Sequence, residues 1–152
     1  MTLTQPDPLR PMLKLALSTA RSQYELFLSL SKAAKMSEVR FLLAYLVESE
    51  SWLIEKLQHM MITGIVDELE ELSGLGDRDT IPDSTPFDPP REDTDPRIFV
   101  CNKVLSEGIK TYTLYLRLAT RAKSDLVSGL FEYLAYLKRQ QIYELRRACG
   151  RY

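Results

Sequence analysis

Glu50 stands in a stripe of apolar residues. The series Val39, Leu43, Leu46, Glu50, Leu53, Leu57, Met60 advances by steps of four and three. That is the spacing of a face that a helix turns toward a core. A carboxylate there is costly unless it is compensated, so either a cation meets it or the helix faces elsewhere. A second series keeps the same steps: Val127, Phe131, Leu134, Lys138, Gln141, Leu145, Ala148. Its polar breaks are a lysine and a glutamine. Glu50 and Lys138 are 138 − 50 = 88 positions apart.

Other residue types able to do chemistry are few. His59 is the sole histidine; near the end of the second helical segment, it reads as a solvated or capping side chain. With one histidine, no Ser-His-Asp or Cys-His nucleophile assembly can be drawn. The two cysteines, Cys101 and Cys149, lie far apart in sequence and form neither a CxxC motif nor a disulfide framework. Cys101 reads as a small core hydrophobe and Cys149 as an exposed thiol near the C-terminus with a minor redox option. A reducing cytosol is the expected compartment.

Four helical segments must position these residues. They run from about Pro8 to Ala34, Ser37 to Met61, Pro96 to Ala122 and Ser124 to Ala148. Ser37 and Ser124 or Asp125 are expected caps, and Asp95-Pro96 suits a first turn. The organisation is therefore a hairpin over 8–61, a linker over 62–95 and a hairpin over 96–149. Within the linker, Ile65 to Leu72 is a candidate short helix. The remainder, rich in Asp, Pro and Gly, reads as a solvated irregular connection. A connection of that length can run along a bundle and leave the second and third helices parallel.

Composition narrows the rest. The chain has 152 residues, 45% hydrophobic and 27% charged, with a net charge of −1, which suits one globular domain. Such a balance gives no drive toward nucleic acid or an acidic membrane. The start lacks the apolar run of a signal peptide, and the longest such run, Phe41–Val47, is too short to span a bilayer. Lys138, Arg139, Arg146, Arg147 and Arg151 crowd the chain end, where they complement a helix dipole.

The two halves match without a gap. A shift of 88 pairs Leu30 with Leu118, Val39 with Val127, Leu46 with Leu134, Ile54 with Ile142 and Leu57 with Leu145. Chance matching of amphipathic helices accounts for part of this; an internal repeat accounts for all of it. The predicted fold is an all-α four-helix bundle of two pseudo-twofold hairpins joined by a long crossover.

In that register the chain resembles the ferritin-like superfamily, especially rubrerythrin-type proteins. The scaffold positions are Leu26-Phe27…Leu30-Ser31 with Leu46-Val47-x-x-Glu50-x-x-Leu53, then Leu114-Tyr115…Leu118-Ala119 with Leu134-Ala135-x-x-Lys138-x-x-Gln141. The resemblance implies a ferritin-like bundle in which each hairpin supplies a Glu from its first helix and Glu-x-x-His from its second to a pair of metal ions. Those positions fall on Ala20, Glu50 and Leu53 and on Gly108, Lys138 and Gln141. Of six ligands one carboxylate remains, so the dinuclear site is expected to be lost, with no metal and no cofactor. The CxxC pairs of the rubredoxin-like module that often accompanies rubrerythrins are also missing.

Two arrangements remain for the polar breaks. In one, Lys138 takes the cation's place and pairs with Glu50 inside the bundle, its stem lying over the small Ala20 and Gly108 while Gln141 adds a hydrogen bond. In the other, Lys138 snorkels outward and Glu50 bonds a water or a tyrosine. Tyr133, Tyr136 and Tyr143 form a second stripe on the last helix, and Tyr45 and Trp52 the matching flank of the second. They read either as a wide core or as a homodimer interface. The expected function is non-catalytic: a cytoplasmic protein-binding, regulatory or scaffold module, a homodimer with a further, unidentified protein partner. The alternatives are a di-iron oxidoreductase of rubrerythrin or ferroxidase type with atypical ligands, which would need iron, and a small-ligand carrier using the space beside Ala20 and Gly108.

Overall fold

The computed structural model of the protein describes residues 9–63, 81–87 and 96–150. They form an all-α four-helix bundle: α1 (Leu9–Ala33), α2 (Ser37–Thr63), α3 (Pro96–Arg121) and α4 (Asp125–Cys149). The short helix expected over Ile65–Leu72, the cap at Asp95 and Arg151 lie outside the described residues.

Local sequence accounts for the element ends. Ser124 caps α4 in an extended conformation, its side chain accepting from the Val127 N–H at 3.4 Å. At α2 the expected cap is displaced by one residue. Arg40 N–H donates to the Met36 carbonyl, so Met36 occupies the cap position and Ser37 is already helical. Each hairpin turn is pinned by a side chain from the start of its second helix. Arg40 Nε donates to Ala34 O at 2.8 Å, and Ser128 Oγ donates to Ala119 O at 2.8 Å. Arg40 and Ser128 are also 88 positions apart.

Packing is most extensive within the hairpins, α1 on α2 and α3 on α4, and all four cross pairs touch as well. The α2 stripe is buried along its whole length, from Val39 to Met60. The α4 stripe is buried from Val127 to Leu145, but it ends on Cys149, with the expected Ala148 only half-buried. Side chains such as Leu43, Leu46, Leu57, Phe131 and Leu134 leave water entirely, each stabilising the fold by about 1.5–3 kcal/mol. Arg97 Nη1 at the start of α3 lies 3.5 Å from Glu38 Oε1 at the start of α2. These helices therefore run in the same direction, and the crossover joins opposite ends of the bundle.

Two further features depart from the sequence expectation. Cys101 and Cys149 form a disulfide that ties the start of α3 to the end of α4, and both are fully buried. Cys149 is thus neither exposed nor a free thiol, and Cys101 is not a reduced hydrophobe. The physical reason is the antiparallel hairpin, which returns the end of α4 to the level where α3 began. The bond also removes the cysteine argument for a reducing cytosol, since disulfides persist in oxidising compartments. The second departure concerns the crossover. Its 81–87 stretch is held on the bundle: Arg146 Nη1 donates to Asp83 O at 3.0 Å, and its Nη2 lies 3.3 Å from Asp83 Oδ2. Its guanidinium stacks 4.9 Å from the Phe87 ring, and Phe87 N–H donates to Asn102 Oδ1 at 2.8 Å. Arg146 therefore clamps the linker as well as lying in the last turn of a helix.

Candidate functional site

The polar residues of the two stripes meet at the centre of the bundle. Lys138 Nζ donates to Glu50 Oε1 at 2.6 Å and to Gln141 Oε1 at 2.7 Å. Gln141 Nε2 lies 3.3 Å from both Glu50 Oε1 and Ser49 Oγ. Glu50 is 1% exposed and Lys138 3%, so neither charge reaches solvent. Helix geometry makes the set: Lys138 and Gln141 are one turn apart on the buried face of α4, and Ser49 and Glu50 are adjacent on α2. Lys138 does not snorkel outward.

The aromatic second layer comes from α1 and α3. The Lys138 ammonium lies 5.8 Å from the centre of the Phe27 ring, a cation–π distance. Tyr115 is 1% exposed, and burial, with the Glu50 carboxylate beside it, holds its phenol above the ordinary tyrosine range. Phe27 and Tyr115 are 115 − 27 = 88 apart, as are Glu50 and Lys138. The two halves of the site thus exchange under one shift: ring Phe27 with cation Lys138, ring Tyr115 with anion Glu50. Tyr115 also packs on Phe131, ring centroids 6.1 Å apart. The sequence offers Phe27 and Tyr115 only as scaffold positions, with no role at the ion pair, although the shift that relates Glu50 to Lys138 also relates them.

The other predicted positions fall as follows. Ala20, Leu53 and Gly108 are buried on α1, α2 and α3. Gly108 does not open room for the lysine stem. A β-carbon built there meets Ile142 Cγ1 at 3.3 Å, so its missing side chain lets α3 and α4 approach. The ligand space expected beside Gly108 is therefore filled by Ile142. Of the aromatic flank, Tyr45, Trp52 and Tyr143 are exposed, and Tyr136 is half-buried with the Arg139 guanidinium 5.5 Å from its ring. Tyr133 is 6% exposed and belongs to the core of its own bundle, so it is withdrawn from the interface set. His59 is exposed.

The residues at the six resemblance positions do not fit a pair of metal ions. Alanine, glycine and leucine offer no side-chain donor, and an ammonium lies against the one carboxylate. Among the described residues no group of three His, Cys, Asp or Glu side chains comes together. No helix among them is long and apolar enough to cross a membrane. No family model matches the chain, nor does any curated protein or solved structure.

Proposed function

We propose that the protein is a non-catalytic module of ferritin-like ancestry, a duplicated hairpin whose metal-binding interior has been replaced by an internal ion pair, and that it works by binding protein. The observation that carries this reading is the Lys138 ammonium at 2.6 Å from Glu50, where the resemblance puts metal ligands. A protein with a charge-neutral, hydrogen-bonded interior at that level has no position for a redox metal. Its surface chemistry is then what remains for function.

The surface argument rests on the outer flank of α2 and α4. Phe41, Tyr45, Trp52 and Tyr143 are all exposed there, and aromatic residues are enriched at interface centres. A second copy is the partner we assign first, with a further protein partner bound by the dimer. The test is a pair of measurements on protein purified without chelators. Elemental analysis is expected to find iron, manganese and zinc far below one per chain. Sedimentation is expected to give twice 17.5 kDa, that is 35 kDa. Near-stoichiometric iron would restore the oxidoreductase reading, and a monomer at all concentrations would sink the self-association.

A further inference from the structure

The disulfide and the crossover meet at one end of the bundle. Cys101 faces Cys149, and seven residues along each helix Gly108 faces Ile142, which fixes the antiparallel register of α3 on α4. The two anchors of the 81–87 stretch flank this seam. Asn102 follows Cys101, and Arg146 follows Leu145, a buried residue one turn before Cys149. In an antiparallel pair, residues one position past the facing ones turn to the same outer side. At a rise of about 1.5 Å per residue, both anchors lie within about 5 Å of the level of the bond. The stretch therefore crosses α3 and α4 over the disulfide. Phe87 is held by both anchors, its N–H on Asn102 Oδ1 at 2.8 Å and its ring 4.9 Å from the Arg146 guanidinium. It packs on the core cluster that includes both cysteines, which are 0% and 1% exposed. The grip is shallow elsewhere: residues 83–86 are exposed, and Asp83 holds Arg146 at the surface. A segment with so few buried contacts opens locally, without the rest of the fold.

We propose that the 81–87 strap and the Cys101–Cys149 disulfide form one redox latch: the closed strap shields the bond from reducing thiols, and cleavage of the bond frees the strap. The reductant is a dithiol. Its thiolate attacks one cysteine sulfur, and the other leaves as a thiolate. The second sulfur of the reductant then displaces the first and closes a disulfide within the reductant. Two electrons and two protons pass to Cys101 and Cys149. Attack needs a straight approach to a sulfur, which the buried bond grants only with Phe87 lifted. The coupling is reciprocal: if strap closure protects the bond, the bond favours strap closure by the same free energy. Reduction unties the start of α3 from the end of α4, so Asn102 and Arg146 no longer hold a fixed spacing for Phe87.

The full oxidised chain is treated with dithiothreitol under native conditions, and the new thiols are counted by maleimide mass shift. Phe87→Ala is expected to be reduced at least about tenfold faster than the wild type, because the strap's local opening no longer limits access. Arg146→Gln, which keeps Phe87 but loosens the clamp, is expected to move the same way and serves if Phe87→Ala does not fold. Ser128→Ala, which removes the pin to Ala119 at the opposite end of the hairpin, is expected to keep the wild-type rate. Sub-denaturing urea is expected to leave the wild-type rate nearly flat, since lifting the strap exposes little surface. Chymotrypsin is expected to cut after Phe87 several-fold faster in the reduced protein than in the oxidised one. Wild-type rates in both strap variants, equal acceleration by Ser128→Ala, or a rate that climbs steeply with urea means that reduction follows global unfolding and overturns the shielding. Equal cutting after Phe87 in the two redox states overturns the release, and two free thiols in the air-oxidised chain overturn the latch altogether.

Discussion

The Lys138 ammonium and the Glu50 carboxylate lie 2.6 Å apart, and the two residues are separated by the same 88 positions that superpose one half of the sequence on the other. Each is therefore its own mate's counterpart. On α2 and α4, Ser49 and Glu50 meet Gln141 and Lys138, and under the proposed duplication such a self-paired position lies on the axis relating the two halves. The proposed symmetric ancestor would carry identical residues on the two sides of that axis, and two glutamates there would repel. One glutamate and one lysine relieve the repulsion without metal.

Breaking this pair has a definite signature. Lys138→Met leaves a buried, uncompensated carboxylate and is expected to destabilise the fold by about 3–5 kcal/mol. Combined with Glu50→Leu the cost is expected to be much smaller than the sum of the single changes, because no charge is then stranded. Urea unfolding of the two singles and the double measures the coupling. Additive, mild effects contradict a buried ion pair.

The disulfide predicts a redox-dependent stability. The Cys101–Cys149 bond closes a span of 48 residues, for which loop-closure entropy gives roughly 4 kcal/mol. Thermal unfolding with and without reductant is expected to differ by several degrees, and Cys101→Ser with Cys149→Ser is expected to abolish the difference. Identical curves with and without reductant would contradict a bridged wild-type chain.

Tyr115 predicts an alkaline effect. Its pKa is raised in the folded state by burial and by Glu50, so the folded protein keeps a proton that the unfolded chain releases near the ordinary tyrosine value, about pH 10. This contribution is complete below about pH 10. Stability then falls as pH rises toward the folded value, by up to about 1.4 kcal/mol per pH unit for one group. Tyr115→Phe is expected to make the unfolding midpoint less sensitive to pH above about 10 than in the wild type. Equal slopes would place Tyr115 in water.

Asp83 predicts an acid effect of opposite sign. Hydrogen bonds from Thr85, whose N–H lies 2.9 Å from Asp83 Oδ1, and then the Arg146 guanidinium hold its carboxyl below the ordinary aspartate value. The clamp on the crossover is therefore complete above about pH 4 and weakens as pH falls through the lower folded value. Carbon-detected NMR titration is expected to show a midpoint below that of an unperturbed aspartate. Thr85→Ala and Arg146→Gln are each expected to raise it, and unchanged midpoints would count against the clamp.

By itself the sequence determined the four helices and their buried faces, because a step of three and four residues is a local property of a helix. It also placed Glu50 and Lys138 at matching steps of two apolar stripes, 88 positions apart. The disulfide was within reach of the same reasoning: Cys101 and Cys149 stand 22 and 26 residues on either side of position 123, so an antiparallel hairpin brings them level. Only the tertiary structure decided which face meets which. Tyr133 is buried and Tyr143 exposed on one helix, Ile142 fills the space over Gly108, and Arg146 reaches back to Asp83. Each of these depends on rotation and distance between helices, which are set by the summed packing of side chains from all four, and no single stretch of chain carries that information.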